Sequence, residues 1–580
     1  MTQHEEQQPE QAQPGSARPP RMVALANGAV AVSILVVAAA FGVAVSQSRP
    51  PAISAFAPEV QQHAHQKSLQ GQGASALGAS APTGVPATPA PTPAPGATMP
   101  GAHATPTPNP LAGRPAQLRC YGASPRQTED PQSPPCLQSF DGDNGGSTSR
   151  GVTRTTIHVA WPDLTPGLPG VENATLTNDL LRFVNTHFEL YGRQIVLTSF
   201  PITGGLGGFS TPSAQQQVQD ADTASRLDGG TFASIGYAPV GGTAFYYYDR
   251  LAQDGVLSVQ SSPLLETEAH LASSPYLWST VPGYDTVESN LGGLWCNQLK
   301  GQKPQYAGQP APPATSWGTR RIGVYYETTS NGIAIDPKPL VDTLNACGAQ
   351  VTAQALSDSS ANDTAAVNQM EQGGVTTVAC MCSPLQLANL MNAATDQTYF
   401  PEWLVSNEQF LSYDQSGENF PAAQQAHVIG IDYNNEVLDP SNEFWYRAVK
   451  EADPAYAYQQ SGQDVYAYYR YEELLVLAGG IQRAGPNLTA ASFQQGLYDT
   501  RYANPGHGAA PYYQASVGFG PGDHSFYGDA AAVWFSASGT SYTTNQGNTG
   551  TYCYSHGGDR SADWLRPQPA FYGNQGCRGG

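Results

Sequence analysis

Ser289-Asn-Leu-Gly-Gly-Leu-Trp295-Cys296-Asn-Gln-Leu299-Lys300 reads as a helix. A Pro-rich passage over Gly308 to Pro313 follows it, and Arg320-Arg-Ile-Gly-Val-Tyr-Tyr326 then reads as a strand running to Glu327. On either side of this seam, apolar runs rich in β-forming residues alternate with helical patterns, the order expected of parallel sheets with crossover helices. Two such arrays joined at a seam predict two lobes and a cleft between them.

Upstream of the seam, residues 155–161 read as the first strand. Residues 176–191 read as the first helix, with Leu180, Leu181, Val184 and Phe188 on one face. Further strands are expected at 195–200, 232–236 and 257–260, separated by helical runs at 213–226 and 243–253. Beyond the seam the cycle repeats as helix 339–346, strand 350–355, helix 364–372, strand 375–380, helix 385–394 and strand 403–405. A strand at 428–432, helices at 443–451 and 464–483, and a Gly-, Tyr- and Ser-rich end with a strand at 531–536 complete the pattern.

At 580 residues the chain exceeds what one core can hold. Its formal charge of −20, with 26 basic against 46 acidic residues, argues against a nucleic-acid partner, because such affinity comes from basic surface meeting phosphate.

Residues 1–21 are polar and are read as a cytoplasmic tail. The next 24 residues, 22–45, carry no charge and only Asn27 and Ser33 as polar side chains. At about 1.5 Å per residue they are long enough to span a hydrocarbon core of about 30 Å. Arg18 and Arg21 before the segment put the N-terminus inside. Ala44-Val-Ser46 would pass as a signal-peptidase site, but the polar leader and the length of the run favour an uncleaved transmembrane anchor. No Cys lies near its end, which excludes a lipoprotein anchor. In either case the rest of the protein is expected outside the cytoplasm.

Residues 46–117 are Ala, Pro, Thr, Gly and Ser and form an extended, disordered stalk, in which His63, His65 and His103 read as solvated residues rather than metal ligands. Phe140-Asp-Gly-Asp-Asn-Gly-Gly146 has the spacing of a calcium loop, but Val152 stands where the chelating Glu belongs, so it reads as a polar turn.

Several phrases carry a resemblance to a known family. They are Tyr276-Leu-Trp-Ser, Gly292-Gly-Leu-Trp-Cys-Asn-Gln-Leu-Lys-Gly301 leading to Arg321-Ile-Gly-Val-Tyr-Tyr, Gly374-Val-Thr-Thr-Val-Ala-Cys-Met-Cys382, Tyr399-Phe-Pro-Glu-Trp-Leu-Val405, and Gly479-Gly-Ile-Gln-Arg-Ala-Gly-Pro-Asn-Leu488. Over about residues 150 to 540 the chain resembles the leucine/isoleucine/valine-binding family of the type 1 periplasmic-binding-protein fold, in its divergent, cysteine-bearing actinobacterial branch. The resemblance implies an α/β fold of two lobes, each a parallel sheet flanked by helices, with three inter-lobe crossings. By analogy lobe 1 comprises 118–282 and 455–515, lobe 2 comprises 283–454 and 516–540, and 541–580 is a disulfide-bearing extension. It implies a receptor that captures a small polar ligand, an amino acid or related compound, for the membrane permease of an ABC-type importer. A ligand-sensing ectodomain, or a cell-surface protein that keeps the fold for another purpose, is the alternative.

No Gly-x-Ser-x-Gly elbow, His-Glu-x-x-His, P-loop or dinucleotide fingerprint occurs, so neither catalysis nor a cofactor is expected. Eight cysteines in an exported chain point to disulfides. The expected local pairs are Cys120 with Cys136 and Cys553 with Cys577. Cys380 and Cys382, taken as facing opposite sides of their sheet, are expected to reach Cys347 and Cys296, which makes a metal site the lesser reading.

Ligands of open α/β sheets bind at the carboxyl ends of the strands, where helix N-termini present free N–H groups. On this chain those ends are Asp163, Tyr237 with Gly241 and Gly242, Ser261 and Ser262 in lobe 1, and Glu327, Ser383 and Asn407 in lobe 2. The resemblance implies that lobe 1 amides and hydroxyls take a carboxylate, and Glu327 is placed to act as the acidic partner from lobe 2.

The anchor reading is testable directly. Intact mass or N-terminal sequencing of membrane-extracted protein should recover the 22–45 segment, whereas a mature chain beginning near Gln47 would refute it.

Overall fold

The computed structural model describes residues 130–580 except 164–172, 204–212, 238–244, 262–265, 309–316, 331–332, 357–359, 459–461, 500–513, 544–548, 556–559, 566–576 and 578–580. No helix among the described residues is long and apolar enough to cross a membrane, and the expected anchor, the stalk and Cys120 lie outside them.

The first sheet contains β1 (Thr156–Asp163), β2 (Gln194–Pro201), β3 (Ala233–Ile235), β4 (Leu257–Gln260) and β5 (Leu277–Ser279) in the order β2-β1-β3-β4-β5. Every pairing is parallel. β3, β4 and β5 are buried at every position, the mark of strands covered on both faces. The crossovers are α1 (Ala174–His187), α2 (Ala214–Arg226) and α3 (Phe245–Gln253), with the single turn α4 (Glu268–Leu271) before β5. Asn173 starts α1 by accepting from Thr175 N, and Ser213 with Gln216 forms a capping box on α2. Leu176, Leu180 and Val184, four apart on α1, form the stripe it buries.

The chain leaves this sheet at Ser279 and enters α5 (Tyr284–Leu294), which continues through a π-helical turn, Trp295–Leu299, into the seam. The second sheet takes β6 (Ile322–Glu327), β9 (Gln354–Leu356), β10 (Thr377–Met381), β11 (Glu402–Val405) and β12 (Val428–Asp432) in the order β9-β6-β10-β11-β12, all parallel. A small hairpin, β7 (Thr329–Ser330) with β8 (Ile333–Ala334), follows β6. Between the strands run α6 (Lys338–Ala346), α7 (Ser360–Gln372), α8 (Pro384–Asp396) and α9 (Asp414–Asn419). Gly430 on β12 is required by close approach, since a Cβ there would fall on the carbonyl oxygen of Val405 on the neighbouring strand.

After β12 the chain returns to the first lobe. α10 (Phe444–Ala452) and α11 (Gly462–Ala484) pack on α1, and α12 (Ala490–Tyr498) packs on α11. The last strands, β13 (Ala530–Thr540) and β14 (Thr549–Tyr554), extend the second sheet beyond β12 as antiparallel neighbours, and β15 (Arg560–Ser561) pairs with β13.

Three features differ from the reading of the sequence. The second crossing precedes α10 rather than following it, because Trp445, Ala448 and Val449 on α10 need an apolar cover that α1 supplies; His187 Nε2 lies 2.6 Å from Glu451 and Arg182 donates to Ala452 O. The third crossing follows residue 527 rather than 515. Ser279 N donates to His524 O and Phe526 N to Ser279 O, which seats that segment on the exposed edge of β5. Residues 549–554, assigned from sequence to a separate extension, are instead a strand of the second sheet.

The disulfides include a correction. Cys553 pairs with Cys577 as expected, and Cys136 is disulfide-bonded. Cys380, however, pairs with Cys382, and Cys296 with Cys347. Residues two apart on a strand share a face. Both thiols of the Cys-Met-Cys unit therefore enter one core layer beside Leu387 and Met391, while Cys296 and Cys347 belong to the other core, where they tie the end of α5 to the end of α6. In the Asp143 turn the carboxylate accepts from Gly145 N and pairs with Arg154 at 2.9 Å.

The seam is locked by one buried ion pair. Arg320 meets Glu402 through Nε at 2.8 Å and Nη2 at 2.9 Å, and both side chains are fully shielded. Glu402 also accepts from Gln305 N and Tyr306 N in the seam and from the Thr377 hydroxyl on β10. Arg320→Met should cost about 3–5 kcal/mol in urea unfolding, because it strands a buried carboxylate. Arg320→Met with Glu402→Gln, which removes the stranded charge and keeps an acceptor for Gln305 N, Tyr306 N and Thr377, should recover much of the loss; a double variant as unstable as the single one would show that the stranded charge is not the source of the loss.

Candidate functional site

In both sheets the parallel strands run the same way, so their carboxyl ends and the N-termini of the following helices lie on one edge. Six of the nine residues expected there are described, whereas Gly241, Gly242 and Ser262 lie outside the described residues.

In the second lobe the structure brings two of them together. Glu327 ends β6 with 8% of its surface exposed. Its carboxylate accepts from Ser383 Oγ at 2.7 Å and from Ser383 N at 3.2 Å. Ser383 is at the same time the N-cap of α8, accepting from Gln386 N with Pro384 at the first helical position. The carboxylate therefore sits at a helix start, where backbone N–H groups favour negative charge. Asn407, after β11, is buried and uses Oδ1 to accept from Tyr433 N. That is a structural bond rather than a free amide.

The same edge holds further acids. Ser406 donates to Glu288 on α5 at 3.0 Å, and burial, only partly offset by this bond, pushes Glu288 up to about 7. At the crossing, burial raises Tyr284 to about 12, with Asp336, Asp285, Glu408 and Glu288 adding to the effect. This wall is acidic.

The first lobe is built differently. Asp163 ends β1 and Ser261 follows β4, both half-buried. Tyr237 is a core residue: its ring stacks on Tyr247 with centroids 3.8 Å apart, and its hydroxyl donates to Asp220. Burial, then the neighbouring Asp220 charge, holds that phenol far above its ordinary range. Gly236 before it has φ of 77°, and a Cβ would fall on the guanidinium of Arg470.

Two residues that sequence reasoning missed stand here. Arg470 on α11 is buried, pairs with Glu473 and donates to Gly236 O at 3.1 Å, placing a cation directly beneath the loop after β3. Gln260, the last residue of β4, is 1% exposed, and among the described residues neither atom of its amide has a hydrogen-bond partner. A Gln closing an otherwise buried strand, and an Arg set among the Tyr and Glu residues of the first half of α11, were the available signals. Chemically, the first lobe offers a guanidinium and an amide, and the second offers carboxylates and helix-start N–H groups.

No family model and no curated protein matches the chain. Among solved structures, a fatty acid ABC transporter substrate-binding protein from Thermomonospora curvata superposes with a TM-score of 0.47 at 16% identity, covering 73% of this chain and 97% of that one. An ABC transporter solute-binding protein from R. palustris, in complex with 4-hydroxybenzoate, gives a TM-score of 0.47 at 11% identity over 71% and 98%. A leucine-binding protein from Thermotoga maritima gives 0.45 at 11% identity over 69% and 97%. The assignment of fold rests on strand order and crossings. Two parallel sheets in the orders β2-β1-β3-β4-β5 and β9-β6-β10-β11-β12, joined by three crossings, the second extended by the antiparallel strands β13 and β14, constitute a type 1 periplasmic-binding-protein-like fold.

Proposed function

We propose that this chain is an extracytoplasmic solute-binding protein that captures a small zwitterionic molecule of the amino-acid class between its lobes and delivers it to the permease of an ABC-type importer. Residues 22–45 are proposed to tether it to the membrane, with the folded region outside the cytoplasm. Its role is binding rather than catalysis.

The observation that carries this reading is the opposed chemistry of the two strand-end walls. The Gln260 amide, without a hydrogen-bond partner among the described residues, suits a carboxylate from one side. Glu327, steadied by Ser383, suits an ammonium group from the other. Open α/β sheets take ligands at this edge, and two such edges joined by crossing segments can close on a ligand as a hinge.

A thermal-shift panel of amino acids, amides, short peptides and sugars tests the proposal. A true ligand at a hundredfold excess over Kd stabilises the folded state by about 2.7 kcal/mol. The expected hit carries both an amine and a carboxylate. Glu327→Gln should weaken it by roughly 2 to 5 kcal/mol, since one member of a buried charge pair is removed. A cationic ligand bound as well by the variant as by the parent would remove Glu327 from the site, and a panel without hits would count against the function itself.

A further inference from the structure

A cavity apart from the strand-end residues discussed above lies where the end of β12 meets α10 and α11, so that both lobes contribute to it. The space is about 80 Å³, room for roughly half a dozen waters. Its walls include the rings of Tyr413, Trp445, Tyr458 and Tyr469 and the carboxylates of Asp432 and Glu443. Among the described residues no Lys or Arg lines it, nor the adjoining cavity that holds Asp130 and Glu472.

Two further observations point to a cation as the occupant. Asn434, 7% exposed and in the cavity wall, has an Oδ1 with no hydrogen-bond partner among the described residues, an acceptor awaiting a donor. Glu443, 9% exposed, accepts from Leu438 N, and among the described residues lining the cavity none is a Lys or Arg. A buried carboxylate is costly unless it is neutralised by a proton or by an opposite charge. Tyrosine and tryptophan faces attract cations most strongly when water is excluded. A bare metal ion fits less well, since no group of three or more metal-ligating side chains that could hold one occurs among the described residues.

We propose that this cavity binds a small organic ammonium ion, with Asn434 Oδ1 and Glu443 accepting its N–H bonds and the aromatic rings enclosing its charge. Because the walls come from both lobes, occupancy bridges them. The site is independent of the solute-transport reading and stands whether or not that reading holds.

Without a cation beside it, Glu443 holds a proton near neutrality. Burial above all, offset by the Leu438 N–H and reinforced by Glu472, Asp130 and Glu436, pushes Glu443 up to about 8. Asp414, raised by burial, and Asp464 also line the cavity, and Asp439 acts on Tyr458 in its wall. A cation must displace such a proton, so affinity should rise as pH is taken upward through about 8, and binding at neutral pH should release protons into the buffer.

The experiment is calorimetric titration of the full chain with n-butylammonium, using butan-1-ol as the neutral control. Butylammonium should bind with proton release and butan-1-ol should not. Glu443→Gln should lower the affinity at least about tenfold, as loss of a desolvated charge partner does. Trp445→Leu, which removes a ring face and leaves every acid in place, should also weaken binding and serves if the first variant folds poorly. The proposal is overturned if butan-1-ol binds as tightly as butylammonium, if neither binds, or if the folded variants bind butylammonium as the parent does.

Discussion

Parallel strand pairing is the constraint on which the rest of the structure depends. A parallel ladder cannot be closed by a tight turn, so each strand must be followed by a helix that carries the chain back across the sheet. Repeated along β1 to β5 and again along β6 to β12, this leaves every carboxyl end on one edge of each sheet. The loops on those edges are then the natural place for a ligand, whatever side chains they carry. The Arg320–Glu402 pair supports the arrangement from the opposite end. Glu402 gathers the seam, the start of β6 and β10 at the amino edge of β11, so the junction between the lobes is fixed at the edge opposite the strand carboxyl ends.

Much of the fold was legible because burial on two faces leaves little choice of residue. Strands such as Thr377–Met381 and Val428–Asp432 are buried throughout, and their unbroken apolar runs stand out from the amphipathic helices between them. β14 was not legible. Thr549-Gly-Thr-Tyr-Cys-Tyr has no long apolar run and gains its identity only by pairing with β13. α10 could be found as a helix but not placed, because a short amphipathic helix does not reveal which lobe supplies its cover. The cysteine assignment failed on geometry: Cys380 and Cys382 share a face, and a partner two residues away forestalls any distant one.

For the candidate site, position was readable and chemistry was not. Glu327 and Ser383 could be found because each stands at a strand end, and the hydrogen bonds between them follow from β6 and β10 being neighbours. Tyr237 stands at such an end too, yet its hydroxyl is taken by Asp220 on a helix that sequence spacing could not bring beside it. Arg470 lies more than two hundred residues from Gly236 in the chain, and only the packing of α11 against the first sheet makes them partners. Buried acids add a theme that runs through the molecule. Glu288, Glu443 and Glu472 are each raised, first by burial, to about 7 or 8, so part of the formal charge of −20 is held as protonated carboxyl groups near neutrality.

The central claim is that two rigid lobes close on a small molecule. The distance between spin labels at the exposed positions Gln215 on α2 and Asn389 on α8 tests it most directly, measured with and without a compound that stabilises the protein. The account predicts a shift to a shorter, narrower distance distribution on saturation, with label pairs placed within either lobe unchanged. A compound that raises the melting temperature while leaving the inter-lobe distribution as it was would contradict it.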